Sequence, residues 1–182
     1  MIEVIAVIFS LLSVILTVIN NKYCWPVGII GIVFYAILFY QNILWGNFIL
    51  QFLFTGQSLL GWYNWNKEDK LYPTWIKNRI RLLTYSPIVY IPTLLFTLRF
   101  ESVLPYLDSA TTSLSIIAMF LLSYKKIEGW IFWIIVDIIS VYMFYEIGLY
   151  LSTIVYFVFL ILAITGLIKW SKYKRLVRYE KI

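Results

Sequence analysis

Apolar residues in this chain come in long runs, and polar ones collect between them. Seven runs are long enough to cross a hydrocarbon layer as helices, at approximately 3–19, 24–41, 44–63, 82–99, 107–124, 128–146 and 149–170. A membrane-spanning helix needs roughly 20 mostly apolar residues, so several runs sit near the lower limit. Pro87 and Pro92 interrupt the fourth run. Membrane helices tolerate proline when neighbouring groups re-satisfy the backbone.

The runs also repeat. Moved forward by 105 residues, the first part of the chain lies on the second without a gap. Trp25 falls on Trp130, the Phe39-Tyr40 pair on Phe144-Tyr145, and Glu3 on Asp108. Gly61, Trp65 and Lys67 fall on Gly166, Trp170 and Lys172. The pattern predicts an all-α membrane protein with seven transmembrane helices, in which two parallel three-helix repeats are joined by a linker helix. The expected divisions are 1–65 (first repeat), 66–106 (cytoplasmic loop and linker helix), 107–171 (second repeat) and 172–182 (a basic cytoplasmic tail). An odd linker leaves both repeats facing the same way, related by an axis along the membrane normal.

Composition supports the membrane reading. The chain is 62% hydrophobic, with a mean hydropathy of +0.85; soluble domains hold about 45–50% apolar residues. With seven spans, fourteen of the fifteen Lys and Arg fall on one side, and only Arg99 falls on the other. The positive-inside rule then places the C-terminus in the cytoplasm and the N-terminus outside. The net charge of +6 is thus a topology signal rather than a nucleic-acid footprint, because the aromatics lie in the spans and not among the basic tail. No removable signal peptide is expected: Glu3 precedes the first run, and no basic n-region leads it.

Chemistry is narrowed by what is missing. The chain has no His and a single cysteine, Cys24, so His-based catalysis, a Cys-based metal site and an internal disulfide are not expected. Neither a phosphate-binding P-loop nor a nucleophile elbow occurs. The expectation is a protein that is not an enzyme, with no catalytic residues, no cofactor and no metal site.

What remains is a carboxylate in the wrong solvent. Asp137 stands about nine residues into the sixth run, roughly 14 Å along the axis and near the bilayer centre. Ionisable groups at that depth mark functional sites. Trp130 and Trp133 share its helix face, at spacings of seven and four residues. Two indoles beside one negative charge suit a flat, polar, cationic ligand. The repeat comparison sharpens this, because Trp133 matches Gly28 and Asp137 matches Ile32. A second polar line, Asn47, Gln51, Thr55 and Ser58, runs along one face of the third run, and Thr112 in the fifth run offers another hydroxyl. These eight residues are the candidate substrate contacts.

These features resemble the PnuC-type vitamin transporters. The resemblance covers nearly the whole chain. It rests on LLGWYNW at 59–65 with Leu50-Gln51 before it, on the block LDSATTSLSIIAMFLLSYKKIEGW at 107–130, on Trp130-x-x-Trp133 followed by a polar residue four positions on, and on GLIKW at 166–170. It implies a SWEET-like 3 + 1 + 3 fold. It further implies uptake of a water-soluble vitamin precursor across the bacterial inner membrane by facilitated diffusion, trapping by a cytoplasmic kinase, and a homo-oligomer, a trimer with one pathway per protomer. Nicotinamide riboside carriers of the family read W-x-x-W-x-x-x-N, whereas this chain has Asp137 at the last position. Asp there resembles the thiamine branch, PnuT, so thiamine is the expected substrate. The alternatives are nicotinamide riboside or a related vitamin or nucleoside, proton-coupled symport through Asp137, and a sensor that binds without transporting.

Overall fold

The structure is a computed structural model. It describes residues 2–41, 45–67, 73–76, 80–99, 104–146, 148 and 150–179. Among the described residues it is all helical apart from turns and one isolated bridge between Thr74 and Lys126. The helices are α1 (Ile2–Val18), α2 (Cys24–Gln41), α3 (Trp45–Lys67), α4 (Ile80–Arg99), α5 (Pro105–Ser123), α6 (Glu128–Glu146) and α7 (Tyr150–Tyr179). The expected spans therefore exist, and two end differently. α3 runs to Lys67 rather than stopping at 63, and α7 runs on to Tyr179, so the basic stretch expected as a tail from 172 continues a helix. No Gly or Pro breaks it there.

Among the described residues, three helices are long and apolar enough by themselves to cross a membrane: Pro105–Ser123, Glu128–Glu146 and Tyr150–Lys172. α1, at 17 residues, is slightly short, and α3 is diluted by Asn47, Gln51, Gln57 and Asn64. α4 is one continuous helix through Pro87 and Pro92. Its Thr93 is buried, with the hydroxyl set toward the carbonyls of Val89 and Tyr90 in its own helix and of Ser109 in α5.

Six helices close a ring. α1 packs on α2, α2 on α3, α3 on α5, α5 on α6, α6 on α7, and α7 back on α1, while α4 is attached through α5. The 105-residue shift maps α1–α3 onto α5–α7, so the two seams between repeats, α3·α5 and α7·α1, are equivalent to each other.

Local geometry obeys the same shift, bond by bond. α1 and α5 both end in a Schellman turn whose left-handed residue is Asn20 (φ 57°) in one repeat and Lys125 (φ 51°) in the other. Asn20 and Asn21 donate to the carbonyls of Thr17 and Leu16, and Lys125 and Lys126 donate to those of Leu122 and Leu121. The following helix then starts with Trp25 or Trp130 lying over a glycine of the repeat's third helix. A Cβ on Gly61 would come within 2.4 Å of the Trp25 ring, and one on Gly166 within 2.7 Å of the Trp130 ring. Only glycine permits so close an approach.

The seams are pinned reciprocally. The Trp65 indole N–H donates to the Leu122 carbonyl at 3.1 Å, and the Trp170 indole N–H donates to the Thr17 carbonyl at 3.2 Å. Each repeat thus binds the other's first helix through the same atom. Trp65 and Trp170 meet at 5.9 Å between ring centroids, and each takes its own repeat's partner edge-on, Trp25 at 5.5 Å and Trp130 at 5.4 Å. Four indoles therefore cross the molecule in a chain, at the end where the turns carry Lys22, Lys125 and Lys126.

Candidate functional site

Asp137 sits in the middle of α6 with only 2% of its surface exposed. No hydrogen-bonding or ionic partner holds its carboxylate among the described residues. A buried carboxylate without a counter-charge is costly, by several kcal/mol even after relaxation, so this position demands an explanation that packing does not give. Ser140, one turn on, is also buried.

Tyr156 lies within electrostatic range of Asp137, Asp108 and Tyr35, and Tyr35 within range of Glu3. The Tyr156 ring stacks on Phe144 of α6 at 5.0 Å. Tyr156 of α7 thus shares an electrostatic neighbourhood with acids of α5 and α6 and a phenol of α2. Sequence reasoning passed over the two tyrosines as candidates. The signal was available: Tyr156 is the repeat equivalent of Gln51, and Tyr35 that of Ser140. Both pairs keep a polar group at the same place in each repeat while changing its size.

The other candidates divide. Trp133 is half-buried against the aromatic and aliphatic cluster around Trp130 and Trp170. At the matching place in the first repeat, Gly28 lets α2 come so close to α1 that an added Cβ would meet the Ser13 hydroxyl at 2.8 Å. A bulky indole in the second repeat and a bare backbone in the first make this level of the ring unsymmetrical. Gln51 and Ser58 are buried on α3, and Thr112 is buried on α5. Thr55 donates its hydroxyl to the Gln51 carbonyl at 2.8 Å, which is a bond within its own helix. Asn47 lies in α3, with its side chain outside the described residues.

Trp130 has a different part from the stacking platform the sequence suggested. Its ring lies over Gly166, edge-on to Trp170, with 2% exposed. Trp25, at the equivalent position in a repeat that has no carboxylate at position 32, does the same over Gly61. The two spacings that put Trp130 on the face of Asp137 are real, but helix packing occupies the indole.

The hydroxyls of α5 are also mostly spent. Ser109, Thr111, Ser113, Ser115 and Ser123 each donate to a carbonyl three or four residues back. Thr112 makes no such bond among the described residues. No group of three metal-ligating side chains occurs among the described residues.

Known proteins share this architecture. The crystal structure of the vitamin B3 transporter PnuC superposes with a TM-score of 0.79 over 96% of this chain and 82% of that one, at 23% identity. The nicotinamide riboside transporter PnuC of Escherichia coli (strain K12) is 25% identical, with 93% of this chain and 84% of that protein covered, and the Shigella flexneri protein of the same name gives the same figures. A sequence model of the nicotinamide mononucleotide transporter family matches residues 1–172. A match of that extent, on a ring of two pinned three-helix repeats, makes this chain a member of the nicotinamide mononucleotide transporter, or PnuC, family: a multi-pass vitamin-type membrane transporter.

Proposed function

We propose that the protein carries nicotinamide riboside across the bacterial inner membrane by facilitated diffusion. The observation that carries the reading is the buried carboxylate of Asp137 with no counter-charge among the described residues. The pyridinium ring of nicotinamide riboside is flat and cationic, so it supplies the missing charge and a face for Trp133. The relatives, both named as nicotinamide riboside transporters, support this cargo over thiamine. Tyr156, Tyr35, Gln51 and Thr112 offer polar contacts for the ribose, with Ser58, Thr55 and Asn47 farther along the same α3 face. The two repeats rock about this level to open it to either side. Phosphorylation by a cytoplasmic kinase then traps the cargo, and the N-terminus lies outside. Protomers of a trimer would each work alone.

Thiamine is the second reading, and one residue favours it: Asp137 stands where the riboside pattern of the family has Asn. Thiamine is also a flat cation, so charge does not separate the two, and competition does. Purified protein in liposomes should take up labelled nicotinamide riboside without ATP or an ion gradient, and unlabelled riboside should compete better than thiamine. The reverse order selects thiamine. Accumulation above equilibrium only under an imposed proton gradient selects symport through Asp137. Binding without uptake of either, by folded protein, ends the transport reading. Asp137→Asn should weaken binding of the cationic cargo by about 30-fold, or ~2 kcal/mol, the low end for removing one partner of a buried charged pair. Unchanged affinity removes Asp137 from the site.

A further inference from the structure

The indole pins are equivalent in the two seams, but a second fastening spans one of them. Residues 73–76, in the connection that leaves the first repeat, lie along the α5–α6 turn of the second. Thr74 donates its N–H to the Lys125 carbonyl at 3.0 Å and accepts from the Ile127 N–H at 3.1 Å. The Glu128 carboxylate accepts the Ile76 N–H at 2.8 Å, and the Lys126 ammonium donates to the Thr74 hydroxyl at 2.9 Å. Pro73 is fully buried, and Trp75 packs on the aromatic cluster of this end. Only five residues separate Pro73 from Lys67, the last residue of α3. The strap therefore tethers the end of α3 to the α5–α6 turn. Asn64, on the last turns of α3, adds a bond to the Ser123 carbonyl at 3.4 Å.

The second repeat cannot copy this strap with the same residues. α3 ends at Lys67, whereas α7 continues as helix to Tyr179. Tyr179 is the counterpart of Thr74 under the 105-residue shift. Its backbone belongs to α7 and runs on along that helix axis. Among the described residues, the bond across the α7·α1 seam is the Trp170 indole N–H on the Thr17 carbonyl at 3.2 Å. Two further indole donors, those of Trp25 and Trp130, are buried at this end without an acceptor. Water let in by an opening would meet donors that packing leaves dry, which offsets the loss of the Trp170 bond.

We infer that the basic end opens by parting α7 from α1, while α3 and α5, tied by the strap, stay together as the hinge. The chain of four indoles then breaks between Trp65 and Trp170, and Trp25 and Trp130 each keep the partner of their own repeat. The inference rests on the proposed function for the rocking of the repeats, and it holds for any cargo. Each seam has a buried position that can report on it. The Cys24 thiol, 1% exposed, lies within hydrogen-bonding reach of the Thr17 side chain, beside the Trp170 pin. Ser123, 0% exposed, lies on the strapped seam, where its carbonyl accepts from Asn64.

The test is thiol labelling of the full chain in nanodiscs with a small charged methanethiosulfonate. It compares Cys24 of the wild type with Ser123→Cys in a Cys24→Ser background, each rate taken relative to the same protein unfolded in denaturant. Cys24 should label faster by about tenfold or more, because the strap adds more than one hydrogen bond to the hinge. Trp170→Phe should speed Cys24 by about fivefold, the worth of one net hydrogen bond, and leave the Ser123→Cys thiol as it was. Thr74→Pro, which removes the strap's N–H and hydroxyl, should speed the Ser123→Cys thiol. A Ser123→Cys thiol that labels as fast as Cys24 overturns the hinge and leaves the rocking intact. Cys24 labelling that Trp170→Phe leaves unchanged, or speeds equally at both thiols, comes from fraying or general loosening and also overturns it. No response to Thr74→Pro removes the strap from the hinge. Protection of both thiols in folded protein denies any opening at this end, and with it the rocking itself.

Discussion

The two repeats agree at one end of the molecule and part company in its middle. At the basic end the turn, the indole over a glycine and the indole bonded to the opposite repeat recur atom for atom. Halfway along the helices the pairs are Ile32 and Asp137, Gly28 and Trp133, Gln51 and Tyr156, Tyr35 and Ser140. A feature present twice cannot be explained by a ligand bound once, so the shared end is scaffold. On the function proposed above, the unmatched middle is where one cargo would be fitted into a symmetrical frame. That comparison moves Trp130 from the second category to the first.

The sharpest way to break it is to fill the glycines. Gly61→Ala and Gly166→Ala each place a methyl group against a buried indole, at 2.4 and 2.7 Å. Overpacking of this kind costs about 1–3 kcal/mol, and the closer approach at Gly61 puts it at the upper end. Thermal unfolding in detergent should show both variants destabilised. Affinity for cargo, measured on the folded fraction, should be retained in both. A Gly166→Ala protein that keeps its stability but loses cargo affinity would return Trp130 to the binding site.

The second step tests the reciprocal pins. Trp65→Phe and Trp170→Phe each remove one indole N–H from a seam, worth about 0.5–1.5 kcal/mol apiece. The losses should be unequal, because Trp65 also carries the ammonium of Lys125 over its ring. A cation–π contact adds about 0.5–1 kcal/mol or more when desolvated, so Trp65→Phe should be the less stable variant. Lys125→Gln in both backgrounds should narrow the gap. Equal losses in the two single variants would show that the cation contributes nothing.

Much of this was legible in the sequence, for definite reasons. Hydropathy gives the spans because lipid forces each crossing segment to satisfy its own backbone, and the ungapped shift of 105 gives the repeat. Asp137 is legible because a carboxylate is so costly at that depth. Trp130 misled because helical spacing reports which face a residue shares and is blind to what a third helix lays against it. Gly166, thirty-six residues on, decided that. Tyr35 and Tyr156 were hidden by their aromatic character, since a phenol among so many tyrosines resembles an interface anchor. Lys125 in a left-handed turn is unreadable by residue type, whereas its partner Asn20 favours that conformation.

The smallest expected effect concerns the seams themselves. Among the described residues, α3·α5 carries two bonds that α7·α1 lacks: Gln57 donates to the Ile116 carbonyl at 2.9 Å and Asn64 to the Ser123 carbonyl at 3.4 Å, while the matching residues in the second repeat are Leu162 and Lys169. The extra polarity looks like reinforcement, but Gln57 buries its own carbonyl oxygen without a partner. One bond made offsets one acceptor left dry, since a net hydrogen bond is worth about 1 kcal/mol and an unsatisfied buried group costs about 1–3 kcal/mol. Gln57→Leu, which copies the other seam, should therefore change stability by less than about 1 kcal/mol, in either direction. A clear loss beyond that, read from thermal unfolding, would mean that water satisfies the Gln57 oxygen. The α3·α5 seam would then be the firmer of the two, leaving α7·α1 as the side on which the repeats separate.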